Sequence, residues 1–146
     1  MTVKTDCESI AGRILVVEDE RLVGMAMVHM LRAAGYGVDL AGNGQEALDK
    51  VSSNGYDLII CDIKMPIMDG QAFYDRLSRL FPDLSRRVVF CTGDLGNPNT
   101  QRFVERCGAP VIPKPFSLCD VLDLVAATLS EHRCLAQPVS LVGALA

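Results

Sequence analysis

The amino-acid sequence predicts a doubly wound α/β fold with a five-stranded parallel sheet. Three observations indicate it: five short apolar runs are spaced along the chain, amphipathic segments alternate with them, and glycine or proline separates many of these segments. Strands that alternate with helices form parallel sheets with helices on both faces. Right-handed crossovers and five strands match the flavodoxin-like (βα)5 order 2-1-3-4-5.

The first two βα units are predicted within the N-terminal third of the chain. Arg13–Glu18 reads RILVVE, a run typical of a strand buried on both faces. A helix over residues 20–34 follows and ends at Gly35, which suits the C′ position. Gly37–Ala41 is a second short strand. Residues 44–54 carry an apolar stripe with helical spacing and predict the second helix.

The third and fourth units repeat the alternation. Asp57–Cys61 (DLIIC) and Arg87–Cys91 (RVVFC) are predicted strands, and residues 70–80 are an amphipathic helix between them. The pair Asn97-Pro98 provides an N-cap followed by proline at the first helical position. Gly108 ends the helix that begins there.

The last unit is the shortest and precedes an apolar tail. Pro110–Ile112 is a very short predicted strand. Ser117 and Asp120 have the spacing of a capping box, which predicts a final helix to about residue 131. The domain is therefore expected over residues 12–131, between an N-terminal extension (1–11) and a tail (132–146) that contains Pro138. The tail is too short to span a bilayer; packing on the domain, self-association and disorder all stay open for it.

Composition is typical of a single globular domain. The chain has 146 residues, of which 49% are hydrophobic and 22% charged. A net charge of −4 without a Lys/Arg cluster argues against direct nucleic-acid binding. No apolar run approaches the roughly 20 residues of a membrane span, and the N-terminus lacks an apolar signal segment. A cytoplasmic protein is expected.

The six cysteines do not have the spacing of a zinc site. None forms a C-x-x-C pair, and the two histidines lie far apart in sequence. Cys61 and Cys91 lie within predicted strands, where a reduced cysteine behaves as a small hydrophobe.

Polar residues lie at or just after the ends of four of the five predicted strands. They are Glu18 and Asp19, then Asp62, Thr92 and Lys114. The order 2-1-3-4-5 brings these strand ends side by side, where doubly wound folds bind ligands. Three clustered carboxylates repel one another unless a cation is present, and Mg²⁺ prefers such oxygen ligands. With a lysine and a hydroxyl beside them, they predict phosphoryl transfer with Asp62 as nucleophile.

The ordered motifs ILVVEDE, DLIICDIKMPIMDG, VVFCTGD and PKPF cover residues 12–131, and with them the chain resembles the receiver domain of two-component response regulators. The PVIPKPF variant is similar to receivers of hybrid histidine kinases. The resemblance implies a cis Lys114-Pro115 bond and a Gly70 that permits a tight turn into the third helix. It also implies these roles: Glu18 and Asp19 as the metal-binding acid pair, Asp62 as phospho-acceptor, the Lys64 backbone carbonyl as a further Mg²⁺ ligand, Thr92 as switch hydroxyl, and Lys114 as the phosphate-sensing lysine.

The resemblance further implies a protein partner and a response. A histidine kinase or histidine phosphotransfer protein would donate the phosphoryl group, and the region 93–107 would shift to signal to an unknown downstream protein. Lys64 and Asp94 are candidates for tuning dephosphorylation, although both are equally explained as solvated loop charges. Val111 stands where the family often has a switch aromatic, so signalling through such a ring is not expected.

Three other classes of protein share part of this pattern. An aspartate-nucleophile phosphatase would place a second Asp at the position of Lys64. A pseudo-receiver that never accepts phosphate is a second alternative. A flavin carrier would need a phosphate-binding loop after the first strand, which is missing. The chain is therefore expected to catalyse only its own phosphorylation and dephosphorylation. About 15 residues follow the last predicted helix, too few for a DNA-binding module.

Overall fold

The computed structural model describes the backbone of residues 12–145 and the side chains of residues 12–131; the predicted extension 1–11 lies outside the described residues. The strands of the described chain are β1 Arg13–Val17, β2 Gly37–Ala41, β3 Leu58–Asp62, β4 Val88–Thr92 and β5 Val111–Pro113. Its helices are α1 Arg21–Ala33, α2 Gly44–Ser53, α3 Gly70–Leu80, α4 Pro98–Cys107 and α5 Leu118–Leu145. A single helical turn, Pro82–Ser85, lies between α3 and β4.

The sheet has the predicted order, β2-β1-β3-β4-β5, and every neighbouring pair is parallel. Its register places Val17 beside Cys61, Asp62 beside Cys91, and Thr92 beside Pro113. The carboxyl ends of the four strands β1, β3, β4 and β5 therefore lie along one edge. The predicted fold class is confirmed.

Three strands lie one residue further along the chain than the apolar runs indicated. β3 and β4 begin after the polar residues Asp57 and Arg87 and extend to Asp62 and Thr92. β5 likewise ends at Pro113. The prediction used side-chain polarity, whereas ladder pairing is made by backbone N–H and C=O groups. The acceptor candidate and the hydroxyl candidate are consequently part of the sheet rather than of the loops.

Each face of the sheet has its own apolar core. Alternate residues of β1, such as Leu15 and Ile14, point to opposite faces because side chains alternate along a strand. The first core lies under α2, α3 and α4 and includes Phe73 and Phe103. The second lies under α1 and α5 and includes Met27. The two layers of helices hold the sheet, and with it the polar edge, in place.

The predicted helix ends are mostly confirmed. The Asn97 side chain accepts a hydrogen bond from the Asn99 amide at 2.8 Å, and Pro98 follows the cap. Gly108 adopts a left-handed φ of 69° after α4. The Ser117 hydroxyl accepts from the Asp120 amide at 3.1 Å at the start of α5.

The end of α5 differs from the prediction. The sequence prediction ended this helix near residue 131, but its backbone continues through the predicted tail to Leu145. Each residue added to a helix, apart from a proline such as Pro138, gains a hydrogen bond without a new nucleation cost, and the alanines and leucines of the tail favour extension. In the described part of the chain, no helix combines the length and the apolar character needed to cross a membrane.

The loop between β3 and α3 contains a strained turn. Ile67 has a φ of 68°, and the Met68 amide donates to the Pro66 carbonyl at 2.7 Å, which forms a γ-turn centred on Ile67. It is the one positive-φ residue other than glycine in the described chain. A β-branched residue in this region is disfavoured by about 1–3 kcal/mol, so the surrounding loop must hold it there. The Met68 carbonyl does so by accepting from the Gly44 amide at 2.9 Å.

Gly70 is required for a reason other than the predicted tight turn. Its φ is not in the left-handed region. Instead, a Cβ on Gly70 would overlap the carbonyl oxygen of Asp62 and approach the Ile63 Cα to 2.8 Å. The start of α3 thus packs directly on the backbone of the acceptor residue, and only glycine leaves room for it.

Replacing Gly70 by alanine is expected to lower the free energy of unfolding by about 1–3 kcal/mol, because the overlap forces backbone movement. Urea denaturation checks the value. Gly55→Ala is the matched control, since a Cβ there meets nothing within 4 Å and should change stability by less than about 0.5 kcal/mol. Equal stability of the two variants would show that the Asp62 backbone yields to the added methyl group.

Candidate functional site

The structure brings the predicted site residues together at the carboxyl edge of the sheet. Glu18 and Asp19 follow β1, Asp62 and Thr92 end β3 and β4, and Lys114 follows β5. One carboxylate oxygen from each of the three acids lies within 4.8 Å of the others. The sequence-based prediction of a clustered acidic site is therefore confirmed in its geometry.

Lys114 reaches across the edge to two of the acids. Its Nζ donates to Glu18 Oε1 at 3.1 Å and to Asp62 Oδ2 at 3.2 Å. Its backbone amide donates to the Thr92 carbonyl at 2.8 Å, which fixes the residue at the end of β4. The Lys114-Pro115 bond is cis, as the resemblance implied.

Two of the three carboxylates are buried, and burial changes the electrostatics of the site. Glu18 is 2% exposed and Asp62 is 8% exposed. Burial raises the pKa of Glu18, although hydrogen bonds from the Glu20 amide and from Lys114 oppose the rise. Burial lowers the pKa of Lys114, but its hydrogen bond to Glu18 and the charge of Asp62 outweigh this and raise it overall. Lys114 is therefore a cation at neutral pH, and it pairs with the two buried acids, Glu18 and Asp62.

The donor set fits Mg²⁺. The three acids provide only hard oxygen ligands, and the exposed Asp19 leaves solvent access for the water ligands that Mg²⁺ retains. Cys61 directly precedes Asp62 in β3 and is fully buried, and burial raises the pKa of its thiol well above the usual value. It is therefore not a thiolate that would favour a softer metal. The Lys64 carbonyl as a further ligand stays a prediction.

Thr92 is buried and holds the loop that follows β4. Its Oγ1 accepts a hydrogen bond from the Asp94 amide at 3.0 Å. A hydroxyl that accepts one bond keeps its own proton free to donate. Thr92 can therefore donate to an anion at Asp62 while remaining linked to the loop.

Lys64 and Asp94, the two tuning candidates, contact each other. Lys64 Nζ lies 3.5 Å from Asp94 Oδ2, and the side chains are 60% and 36% exposed, so this ion pair is weak. Asp94 Oδ2 also accepts from the hydroxyl of Thr100 at 3.0 Å. Thr100 lies in the first turn of α4 and is buried, and sequence reasoning missed it. The Asn97 cap could have indicated it, because a cap brings the first turn close to the preceding loop.

Val111 occupies the position at which the resemblance led us to consider a switch aromatic. It is partly buried and lies beside Phe90 in the β4–β5 register. Phe90 forms edge-to-face contacts with Phe103 and Tyr74, with ring centroids 5.2 and 5.8 Å away. The aromatic rings of this region therefore belong to the core beneath α3 and α4.

The cysteine side chains are expected to differ strongly in reactivity. Burial raises the pKa of Cys91 to about 12, and Cys61 is also buried, whereas Cys119 is exposed. Because the thiolate is the nucleophile, iodoacetamide at about pH 8 should modify Cys119 at least about 100-fold faster than Cys91. Timed labelling with peptide mass spectrometry measures this. The rates should converge in concentrated urea; similar rates in the folded protein would contradict the burial.

A family model described as "Response regulator receiver domain" matches residues 14–126. The chain is also 32% identical over 131 residues to "Transcriptional regulatory protein PdtaR" of Mycobacterium tuberculosis (strain CDC 1551 / Oshkosh), which covers 88% of this chain and 62% of PdtaR. The chain thus spans less than two thirds of the length of this curated relative.

Two solved structures are similar over most of their own length. The signal receiver domain of a signal transduction histidine kinase from Syntrophus aciditrophicus is 36% identical, with a TM-score of 0.76 over 83% of this chain and 92% of that one. The response regulator protein TrrA of Thermotoga maritima, solved in complex with Mg(2+)-BeF, is 28% identical, with a TM-score of 0.70 over 80% and 97%. The resemblance to receivers of histidine kinases is confirmed. With its fold, its acidic edge and these matches in agreement, the chain belongs to the response regulator receiver domain family.

Proposed function

We propose that Asp62 accepts a phosphoryl group from a phosphohistidine on a histidine kinase or a histidine phosphotransfer protein, with Mg²⁺ as cofactor and in the cytoplasm. One observation carries the proposal. The Asp62 carboxylate ends β3 in the middle of the edge, within 4.8 Å of the acid pair and 3.2 Å from Lys114 Nζ. An aspartate nucleophile, a metal-binding acid pair and a lysine for the transferred group are thus adjacent.

The reaction follows from these groups. A carboxylate oxygen of Asp62 attacks the phosphorus in line, the P–N bond to the donor imidazole breaks, and the imidazole leaves with its electron pair and takes a proton. Lys114 holds one phosphoryl oxygen and Thr92 donates its proton to another. Bound Mg²⁺, held by Glu18, Asp19 and Asp62, would neutralise charge on the phosphoryl oxygens. Water later hydrolyses the acyl phosphate and restores the carboxylate.

The response is proposed to pass through the region 93–107. A phosphoryl group adds roughly −1.5 to −2 charge at Asp62, which attracts the Thr92 hydroxyl and Lys114. Movement of Thr92 changes its bond to the Asp94 amide, and Asp94 is linked to Thr100 in α4. Lys114 bonds both to the Asp62 carboxylate and to the Thr92 carbonyl, so these contacts connect the acceptor to the helix. A downstream protein that reads α4 would sense the change.

A protein donor is favoured over a small substrate by the surface beside the acceptor. A groove of about 610 Å³ between α1 and the start of α5 is lined largely by apolar side chains, among them Leu22, Val23 and Phe116, with Lys114 at its rim. A helix of the donor that presents apolar side chains fits such a groove. The chain is proposed to act on no external small substrate and to catalyse only its own phosphorylation and dephosphorylation.

Incubation with acetyl phosphate and Mg²⁺ tests the acceptor role. Intact-mass spectrometry should show a gain of about 80 Da for one phosphoryl group, and excess EDTA should prevent it. No gain under either condition would favour the pseudo-receiver alternative. If the wild-type chain released phosphate from an aryl phosphate over many turnovers and Asp62→Asn did not, the phosphatase alternative would be favoured instead.

A further inference from the structure

Two strongly exposed apolar side chains follow residues of the acidic edge closely in the sequence. In the part of the chain with described side chains, the exposed large apolar residues are Leu22, Met25, Ile67, Leu80 and Leu118. Leu22 and Ile67 are the most exposed, each at 84%. Leu22 comes three residues after Asp19, and Ile67 comes five residues after Asp62. Leu80, at the C-terminal end of α3, lies away from this edge.

Ile67 combines exposure with a disfavoured backbone. Its positive φ suits glycine or asparagine, whereas a β-branched residue is strained there. Packing of the side chain does not compensate for this backbone strain, because the side chain is almost entirely exposed. Neither local conformation nor core packing therefore explains isoleucine at this position. Strained residues that the surrounding structure maintains are typical of functional sites.

The loop that carries Ile67 is firmly held. Met65 and Met68 pack against the apolar core under α2 to α4, and the Met68 carbonyl accepts from the Gly44 amide at 2.9 Å. At the other end of the loop, the Gly70 amide donates to the Ile63 carbonyl at 2.8 Å. Ile67 is thus an apolar side chain presented on a fixed support, so its burial by a partner would cost little conformational entropy.

The position of the acceptor determines what covers this loop. Asp62 is 8% exposed, so a donor imidazole must enter the acidic edge to bring its phosphorus within about 3–3.5 Å of the carboxylate. A protein that inserts a histidine side chain this far must lay its surface over the loops around the edge. The loop of Ile67 follows Asp62 directly and is one of them.

We propose that Ile67 is a specificity-determining contact for the phosphohistidine donor, which presents an apolar patch beside its histidine. The inference rests on the proposed function and adds to it the residue and the kind of surface that select the donor. The strained turn keeps the side chain exposed before the donor arrives. Ile67 touches the partner and not the reacting atoms, so it contributes to recognition and leaves the chemistry of Asp62 unchanged.

The test compares two phosphoryl donors with matched variants. A panel of soluble histidine kinase domains is first autophosphorylated with radiolabelled ATP, and the domain that transfers phosphate fastest to the wild-type chain is the protein donor. The small donor is acetyl phosphate. Ile67→Gly and Ile67→Asn both tolerate the positive φ and remove the branched apolar side chain. Leu80→Ser removes an equally apolar exposed side chain away from the edge.

Both Ile67 variants should lower kcat/KM for the kinase on the order of 10-fold or more, through KM, as expected for an apolar side chain no longer buried. Their rates with acetyl phosphate should stay within about twofold of wild type, and their Tm should not fall. Leu80→Ser should match the wild type with both donors.

Three outcomes would overturn the inference. If both Ile67 variants accepted phosphate from the kinase at the wild-type rate, Ile67 would not be a contact for the donor. If only kcat fell, the substitution would affect the chemical step and not recognition. If the rate with acetyl phosphate fell as much as the rate with the kinase, the substitution would impair Asp62 itself and not the recognition of the donor. A separate outcome, failure of the wild-type chain to accept phosphate from acetyl phosphate with Mg²⁺, would overturn the proposed function and this inference with it.

Discussion

Replacing Asp62 by asparagine is expected to abolish phosphorylation from both acetyl phosphate and a phosphohistidine protein. The amide oxygen is a poor nucleophile, and no other described carboxylate has the central position on the edge that Asp62 has between the acid pair and Lys114. The rate should fall by at least about 10³-fold. Intact-mass spectrometry and radiolabel transfer measure it.

The folded state should survive this change. Asparagine keeps the shape of the side chain, removes one of three clustered negative charges, and leaves Lys114 paired with Glu18 at 3.1 Å. Asp123→Asn, on the exposed surface of α5, is the matched control and should phosphorylate normally. Phosphate uptake by Asp62→Asn, confirmed by locating the modified peptide, would assign the acceptor role to another residue.

Replacing Lys114 by alanine is expected to have two separate effects, and the first is on stability. When the ammonium of Lys114 is removed, Glu18 and Asp62 stay buried but no longer pair with a cation. Breaking a buried pair costs about 3–5 kcal/mol, and because the Lys114 side chain is 22% exposed a loss of roughly 2–4 kcal/mol is expected. Urea denaturation in EDTA measures it.

Added Mg²⁺ should restore part of this stability, because the acids then regain a cation. Lys64→Ala is the control: its pair with Asp94 is exposed, and its loss should cost less than about 1 kcal/mol. Equal stability of Lys114→Ala and Lys64→Ala in EDTA would contradict this prediction. It would mean that protonation or hydration of Glu18 and Asp62 replaces the ammonium of Lys114.

The second effect of Lys114→Ala is on the response. The acceptor and the acid pair remain, so some phosphorylation by acetyl phosphate should persist. Amide hydrogen exchange over residues 93–107 should change on addition of beryllofluoride and Mg²⁺ in the wild type and not in the variant, because no cation then draws the end of β5 towards the bound anion. A wild-type exchange response in Lys114→Ala would remove the coupling role of this lysine.

The site could be predicted from the sequence because it depends on few local facts. Glu18, Asp62 and Lys114 each come at the end of an apolar run, and parallel strands end at one edge. The strand order then follows from the crossover rule, so three residues separated by up to 96 positions could be placed together before any distance was known. Their chemical types restricted the ligands to a hard cation and an anion.

Other contacts depended on backbone placement that no local pattern encodes. Glycine is needed at position 70 because the carbonyl of Asp62 lies where a Cβ would be. The hydrogen bond from Thr100 to Asp94 depends on how α4 meets the loop after β4. The continuation of the α5 backbone past residue 131 to Leu145 was likewise not indicated by the sequence pattern.

By itself, the sequence determined the fold class, the strand order and the identity of the acidic edge, because hydrophobic periodicity and residue chemistry are local properties. The tertiary structure alone decided the strained γ-turn at Ile67, the pairing of Lys64 with Asp94, and the burial that perturbs Glu18. These features arise where segments distant in sequence press on one another. PVIPKPF illustrates the division: its lysine was recognisable from sequence, whereas its two hydrogen bonds to Glu18 and Asp62 exist only in the folded sheet.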